Sequence, residues 1–108
     1  MRLYSRESDF SSQIQKADNF WKRLKGLMGK DGIAKGEAML FYPCGSIHTF
    51  FMKFNLDVLY LDRDNVVLAK ESIAPWRLGK MVRGAKKVVE MAEGEAEAVR
   101  IGEKLYLD

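Results

Sequence analysis

The chain has 108 residues, of which 47% are hydrophobic and 31% charged, and its formal net charge is +3 at pH 7. A domain of this length buries roughly two thirds of the surface of its unfolded chain, so we expect one domain covering 1–108. The longest apolar runs are far shorter than the ~20 residues of a membrane-spanning helix, and the N-terminal residues show no secretory signal, so we expect a cytoplasmic monomer with no membrane partner.

Short strands bounded by turn residues dominate the predicted secondary structure; in chain order they are 2–5, 13–17, 38–42, 47–53, 57–61, 66–73, 86–91 and 104–107. One principal helix is predicted over 19–28, where apolar residues recur at helical spacing between an N-cap at Asp18 or Asn19 and a stop at Gly29. A single helical turn is predicted near 95–99.

Regularly spaced short strands favour a mainly β (α+β) fold, a largely antiparallel sheet that curls or closes into a small β-barrel-like structure. The helix would pack on this sheet or plug one end of it. Strand 47–53 is apolar on both alternating faces, so we expect it to be central and buried, with His48 inside.

The segment 41–52 is the most informative part of the chain, because it holds the only cysteine, Cys44, and the only histidine, His48. If a short loop joins strand 47–53 to strand 57–61, Lys53 faces Asp57 and His48 faces Asp62. In that register Asp62 would orient His48, and an imidazolium beside Cys44 would favour the nucleophilic thiolate. Cys44, His48 and Asp62 are therefore candidate catalytic residues of a thiol-dependent hydrolase or transferase.

Two other interpretations of the same segment remain open. Cys44 and His48 are structural if the thiol packs as a small hydrophobe and the imidazole is satisfied internally. Alternatively, they line a non-covalent binding site for a small molecule or anion, because tryptophan beside arginine suits anions and aromatic rings. The candidate ligand-binding residues are Cys44, Ser46, His48, Thr49, Trp76, Arg77 and Arg23. The structural interpretation is the more common one for a lone cysteine and a lone histidine. Among the functional interpretations we favour the binding site, and whether the protein is an enzyme stays open.

Charge is unevenly distributed along the chain. A basic strip over 77–87 could serve an accessory module that binds nucleic acid or protein, although a net charge of +3 also fits a solvated surface. The acidic residues Glu90, Glu93, Glu95 and Glu97 form a second solvated cluster. We expect no cofactor and no metal, because nucleotide-binding, zinc-protease and nucleophile-elbow motifs are absent and one Cys with one His is too few for zinc.

Several blocks resemble the DUF192 family of small prokaryotic proteins: WKRLKGLM (21–28), GEAMLF (36–41), PCGSIHTFFM (43–52), DVLYLD (57–62) and PWR (75–77). The resemblance extends over about 17–107. It implies a β-rich domain with one prominent helix, and it implies no reaction, cofactor or partner. The chain departs from the family pattern at Asn55, where proline is frequent, and in the acidic stretch 93–97.

Overall fold

A computed structural model describes residues 1–17 and 32–108. The strands in these ranges are β1 Arg2–Ser5, β2 Ser11–Ala17, β3 Glu37–Phe41, β4 Leu56–Leu61, β5 Val67–Ile73, β6 Lys87–Ala92 and β7 Leu105–Leu107. A 3₁₀ helix, Glu95–Ala98, follows β6. The prediction of a mainly β fold is confirmed, whereas the predicted helix 19–28 lies outside the described residues. No helix in the described part of the chain is long and apolar enough to cross a membrane.

The strands form one mixed sheet in the order β5-β4-β6-β3-β2-β1-β7. Neighbouring strands are antiparallel except β2 and β3, which are parallel. Parallel pairing needs a crossover of a dozen or more residues, and 18–36 provides it. The prediction of barrel-like closure is wrong, because the sheet is open between β5 and β7. Those two edges approach each other at the bridge between Val66 and Lys104, which is isolated and does not extend into a ladder.

The predicted strand 47–53 is also wrong, because β3 ends at Phe41 and β4 begins at Leu56 without a strand between them. Thr49 and Met52 are buried in this segment while their neighbours are exposed. The apolar run is typical of a buried strand, but the two buried residues are three positions apart instead of two, and Phe51 has φ 68°, which a strand does not allow. His48 is consequently exposed and not buried.

The sheet buries apolar side chains on both faces, so β4 is buried along its whole length. One face, with the curled edge of β1 and β7, encloses a first core that includes Leu3, Ile14, Leu40, Leu59, Val89, Met91, Val99 and Leu105. The opposite face forms a second core that includes Met39, Phe41, Val58, Tyr60, Ile73 and Val88. Two loops cover this second core, one between β3 and β4 and the other between β5 and β6, through side chains such as Met52, Ile47, Val82 and Ala85. We call it the loop-covered core.

Candidate functional site

The two loops over the loop-covered core meet in a short antiparallel ribbon. The Thr49 N–H donates to the Arg77 carbonyl at 2.8 Å, and His48 pairs with Leu78 in an isolated antiparallel bridge. Residues that are distant in the sequence therefore share one surface.

Thr49 stabilises this ribbon from its buried side. Its side chain is fully buried, and Oγ1 donates to the Ala74 carbonyl at 2.6 Å while accepting the Arg77 N–H at 2.9 Å. Its carbonyl oxygen accepts the N–H groups of Trp76 and Met52, at 2.9 and 3.1 Å. Thr49, predicted to line a binding site, thus lies inside the molecule and holds both loops in place.

The outward side of the ribbon is apolar and largely aromatic. Bridge partners project their side chains to the same side, so His48 and Leu78 lie together. The His48 ring stacks on Phe50 with centroids 4.8 Å apart, and Trp76 lies 6.0 Å from Phe50 and 4.7 Å from Phe51. All five residues are exposed. We call this group, His48, Phe50, Phe51, Trp76 and Leu78, the aromatic surface.

Two residues of the aromatic surface have left-handed backbone conformations, Phe51 with φ 68° and Trp76 with φ 61°. This region is rare for bulky side chains, and such a residue costs about 1–3 kcal/mol unless its surroundings determine it. The hydrogen bonds to Thr49 are such a determinant. The backbone strain is therefore located at Phe51 and Trp76, two exposed aromatic residues that contact each other.

His48 and Asp62 have different partners, so the predicted register between them is wrong. The His48 Nδ1 accepts the Phe50 N–H at 3.3 Å. The Asp62 carboxylate accepts the N–H groups of Asp64 and Val66, at 2.8 and 3.0 Å, and thereby closes its own turn. The cause is that β4 pairs with β5 and β6, which leaves no free edge for 47–53.

Asp57, which was predicted to face Lys53, is buried and structural. It accepts hydrogen bonds from the Ser72 hydroxyl at 2.7 Å and from the N–H groups of Gly94 and Ala96, each at 3.0 Å. These contacts fix the turn after β6 and the start of the 3₁₀ helix. Lys53 is exposed.

Cys44 is half-buried at the edge of the loop-covered core. Its thiol donates to the Ser46 carbonyl at 3.1 Å, and its N–H donates to the Lys86 carbonyl at 2.8 Å. Ser46 is exposed. The structure thus places the thiol under the loop and the His48 imidazole on the outer surface. Arg23, the remaining predicted ligand residue, lies outside the described residues.

The two loops and their flanks are strongly cationic. Segments 42–56 and 74–89 hold six of the 18 lysines and arginines of the chain and none of its 15 aspartates and glutamates. Lys87 is engaged, because its Nζ donates to Asn65 Oδ1 at 2.6 Å and lies over the Tyr42 ring. Four others are exposed along the second loop, and we call them the basic patch: Arg77, Lys80, Arg83 and Lys86.

A hydrogen bond between the buried Tyr60 and the half-buried Glu71 anchors the middle of the second loop. The Tyr60 hydroxyl donates to Glu71 Oε2 at 2.5 Å, and the Lys80 N–H donates to the same oxygen at 2.8 Å. Burial, and then the hydrogen bond to Glu71, raise the pKa of Tyr60. Gly79 passes so close that an added Cβ would lie 2.5 Å from the Tyr60 hydroxyl. Only glycine fits at this approach.

Glu90 is not part of a solvated acidic cluster, contrary to the sequence prediction. It is 6% exposed on β6, paired in register with Met39 on one side and Val58 on the other. Burial raises the pKa of Glu90 to about 8. Among the described residues, no three or more His, Cys, Asp or Glu side chains are grouped so as to hold a metal ion.

Sequence reasoning missed Phe50, Phe51, Leu78 and Met81 as surface residues. Periodicity assigned the two phenylalanines to a buried strand, and an isolated leucine or methionine carries no functional signal. The available signal was the absence of aspartate and glutamate from 42–56 and 74–89, which shows that these two segments are cationic.

Comparisons with known proteins agree with the family resemblance and assign no activity. The family model DUF192, described as "Uncharacterized ACR, COG1430", matches residues 3–107. A UPF0127 protein of Pyrococcus abyssi is 31% identical, with 94% of this chain and 91% of that protein covered. A UPF0127 protein of Pyrococcus furiosus is 32% identical, covering 86% and 84%.

Two crystal structures share the fold. A protein of unknown function from Novosphingobium aromaticivorans superposes with a TM-score of 0.82 at 17% identity, covering 98% of this chain and 82% of that one. A putative transcription regulator from Sinorhizobium meliloti has a TM-score of 0.77 at 20% identity, covering 97% and 89%. At these identities the likeness concerns the fold alone.

Proposed function

The chain belongs to the DUF192 family, and from its own surface we propose that it is a binding domain for multiply charged anions. The ligand is held by the basic patch and rests against the aromatic surface. The observation that carries the proposal is the separation of charge: two loops that meet in space share six cations and no carboxylate.

The basic patch is suited to anions because its charges are exposed and unopposed within the two loop segments. Clustered charge of one sign raises the local concentration of counter-charged ligands. Arg77 adds directional contacts, since a guanidinium can donate two parallel hydrogen bonds to a phosphate or carboxylate. The Arg77 Nη1 donates to the Trp76 carbonyl at 3.3 Å, which keeps this cation beside the aromatic surface.

The aromatic surface supports binding because its apolar side chains are exposed to water and two of them have strained, left-handed backbones. Contiguous exposed apolar groups on a soluble protein commonly mark an interaction site. Both left-handed aromatics, Phe51 and Trp76, belong to it. Their fixed backbones reduce the ordering that binding would otherwise require.

The thiol-dependent alternative has less support. A cysteine nucleophile is activated by an adjacent base, and the hydrogen bond described for the Cys44 thiol is to the Ser46 carbonyl. The described hydrogen bond of His48 is to the Phe50 N–H. The aromatic surface is also open to solvent, which suits an extended ligand better than an enclosed small molecule.

The proposal is tested by fluorescence anisotropy with a labelled polyphosphate chain. The double variant Lys80→Gln/Arg83→Gln removes two cations of the basic patch, and Lys35→Gln/Arg100→Gln removes two exposed cations elsewhere. We expect the first pair to lose roughly tenfold in affinity and the second to lose less than about twofold. Binding should weaken between about 20 and 200 mM salt. Equal losses in both double variants, or no binding at low salt, would refute the proposal.

A further inference from the structure

We infer that the multiply charged anion is the surface of a lipid bilayer containing anionic lipids. This inference rests on the proposed anion-binding function and names the partner of the same site. It comes from the exposed apolar residues of the two loops, because a water-soluble polyanion would gain little from contact with aliphatic side chains.

The most exposed apolar side chains of this region are aliphatic as well as aromatic. Met81 is 88% exposed and Leu78 74%, followed by Phe51 at 58% and Trp76 at 54%. Leucine and methionine offer neither a hydrogen-bond donor for phosphate nor a π face for a base. They suit acyl chains, and tryptophan favours the level of the lipid headgroups.

Cations alternate with these apolar residues along the second loop. Arg77 lies between Trp76 and Leu78, and Lys80 directly precedes Met81. In a protein that docks on a membrane, apolar side chains enter the headgroup boundary while neighbouring lysines and arginines contact anionic headgroups. The interleaved pattern provides both kinds of contact within one loop.

The loops are rigid enough to present these residues without refolding. Thr49 fixes the ribbon at Arg77, and the Tyr60–Glu71 pair fixes the backbone at Lys80. Leu78 therefore projects from a segment held on both sides. No long amphipathic helix is required, which is why a search for membrane-spanning runs led to the expectation of no membrane partner.

Two other occupants fit the surface less well. A single-stranded nucleic acid would stack its bases on Phe50 and Trp76 but would leave Leu78 and Met81 in water. A second copy of the chain packed face to face would bring two basic patches together, and like charges oppose that contact.

The inference is tested by co-sedimentation with vesicles of phosphatidylcholine alone and with about 30% phosphatidylglycerol. The variant Leu78→Ser/Met81→Ser removes the aliphatic side chains, and Ile101→Ser, at a 63% exposed residue outside both loops, is the matched control. We expect the wild-type chain to bind the anionic vesicles only. The double variant should lose roughly tenfold in partitioning, with the control unchanged. Melting temperatures would verify that all variants fold.

Further measurements separate this inference from the proposed function. Met81→Ser, at an 88% exposed residue outside both the basic patch and the aromatic surface, should bind polyphosphate like the wild type but bind anionic vesicles more weakly. Anionic vesicles should shift the tryptophan emission to shorter wavelength in the wild type but not in Trp76→Phe. Equal vesicle binding by wild type and Leu78→Ser/Met81→Ser overturns the lipid inference. So does binding of single-stranded RNA without vesicle binding, and both results leave the anion-binding function standing. If Lys80→Gln/Arg83→Gln binds polyphosphate as tightly as its control pair, the proposed function itself fails.

Discussion

Thr49→Val is expected to loosen both loops, because it removes the one side-chain oxygen on which they converge. The Oγ1 atom donates to the Ala74 carbonyl at 2.6 Å and accepts the Arg77 N–H at 2.9 Å, and the residue has 0% exposure. Valine keeps the volume and the branching at Cβ, so the change isolates the loss of these two hydrogen bonds.

The magnitude follows from what happens to the two former partners. A lost hydrogen bond costs about 1 kcal/mol when water can replace it, and up to about 3 kcal/mol when the partner stays buried and unsatisfied. The Ala74 carbonyl and the Arg77 N–H both belong to exposed residues, so we expect about 1–1.5 kcal/mol for each bond, a total of about 2–3 kcal/mol. For a domain of this length this lowers the melting temperature by roughly 10–15 °C.

Thr49→Ser is the matched control, because it keeps the hydroxyl and removes only a buried methyl group, at a cost of about 1 kcal/mol. Urea denaturation followed by circular dichroism gives both free energies of unfolding. If Thr49→Val is no less stable than Thr49→Ser, the two hydrogen bonds do not hold the loops and the account of the ribbon is refuted. Below its melting transition, Thr49→Val should also bind polyphosphate more weakly than Thr49→Ser.

Two further predictions concern Glu90 in β6 and Gly79 in the loop between β5 and β6. Burial raises the pKa of Glu90 from 4.5 to about 8, so this carboxyl stays protonated in the folded protein while it ionises in the unfolded chain. The wild type should therefore lose stability relative to Glu90→Gln as pH rises from about 4.5 to 8, by up to ~1.4 kcal/mol per pH unit. Outside that window the difference in the free energy of unfolding should be constant. Urea titrations across the range measure this difference, and a difference that does not change with pH would contradict the prediction. Gly79→Ala should destabilise by roughly 2 kcal/mol or more, because its Cβ would lie 2.5 Å from the Tyr60 hydroxyl and 2.9 Å from Ile47 Cγ1. Gly32→Ala is the control, because no atom of the described residues lies within 4 Å of the added Cβ there. Equal melting temperatures for the two variants would show that the methyl group fits at Gly79.

Local rules predicted most of the strands because turn-forming residues or proline mark several of their ends. The turn over 62–65 separates β4 from β5, and Pro75 lies just beyond the end of β5. The same rules failed for 47–53, a mostly apolar run that is typical of a buried strand. There the buried Thr49 uses its side chain to bind the other loop, and the backbone turns through a left-handed Phe51.

The order of the strands was beyond local reasoning, because it depends on pairs that are distant along the chain. β2 lies parallel to β3 across the whole 18–36 connection, and β6 inserts between β3 and β4. The insertion of β6 gives β4 two partners, and that is what excluded the predicted contact between His48 and Asp62. A site hypothesis built on one assumed register fails as a whole when that register is absent.

The aromatic surface could not be predicted for a related reason. It consists of residues from two loops that meet only through the bridge between His48 and Leu78. Cys44 and His48 were singled out because they are rare and reactive residue types. Phe50 and Leu78 are common types, and they suggest a binding surface only once the structure shows that they are exposed. Charge was the exception, since a stretch without carboxylates can be seen in the sequence without any knowledge of contacts.

Stability and binding are carried by different side chains of the same loops, and this separation supports assigning a function to the surface. Inward-facing residues such as Thr49 and Met52 seal the loop-covered core, so the fold alone accounts for them. It does not account for Phe51 and Trp76, whose left-handed backbones cost free energy while their rings remain largely in water. A loop needed only to cover the core would be more stable with glycine at those two positions. Contact with a binding partner would account for the exposed aromatic rings at these positions.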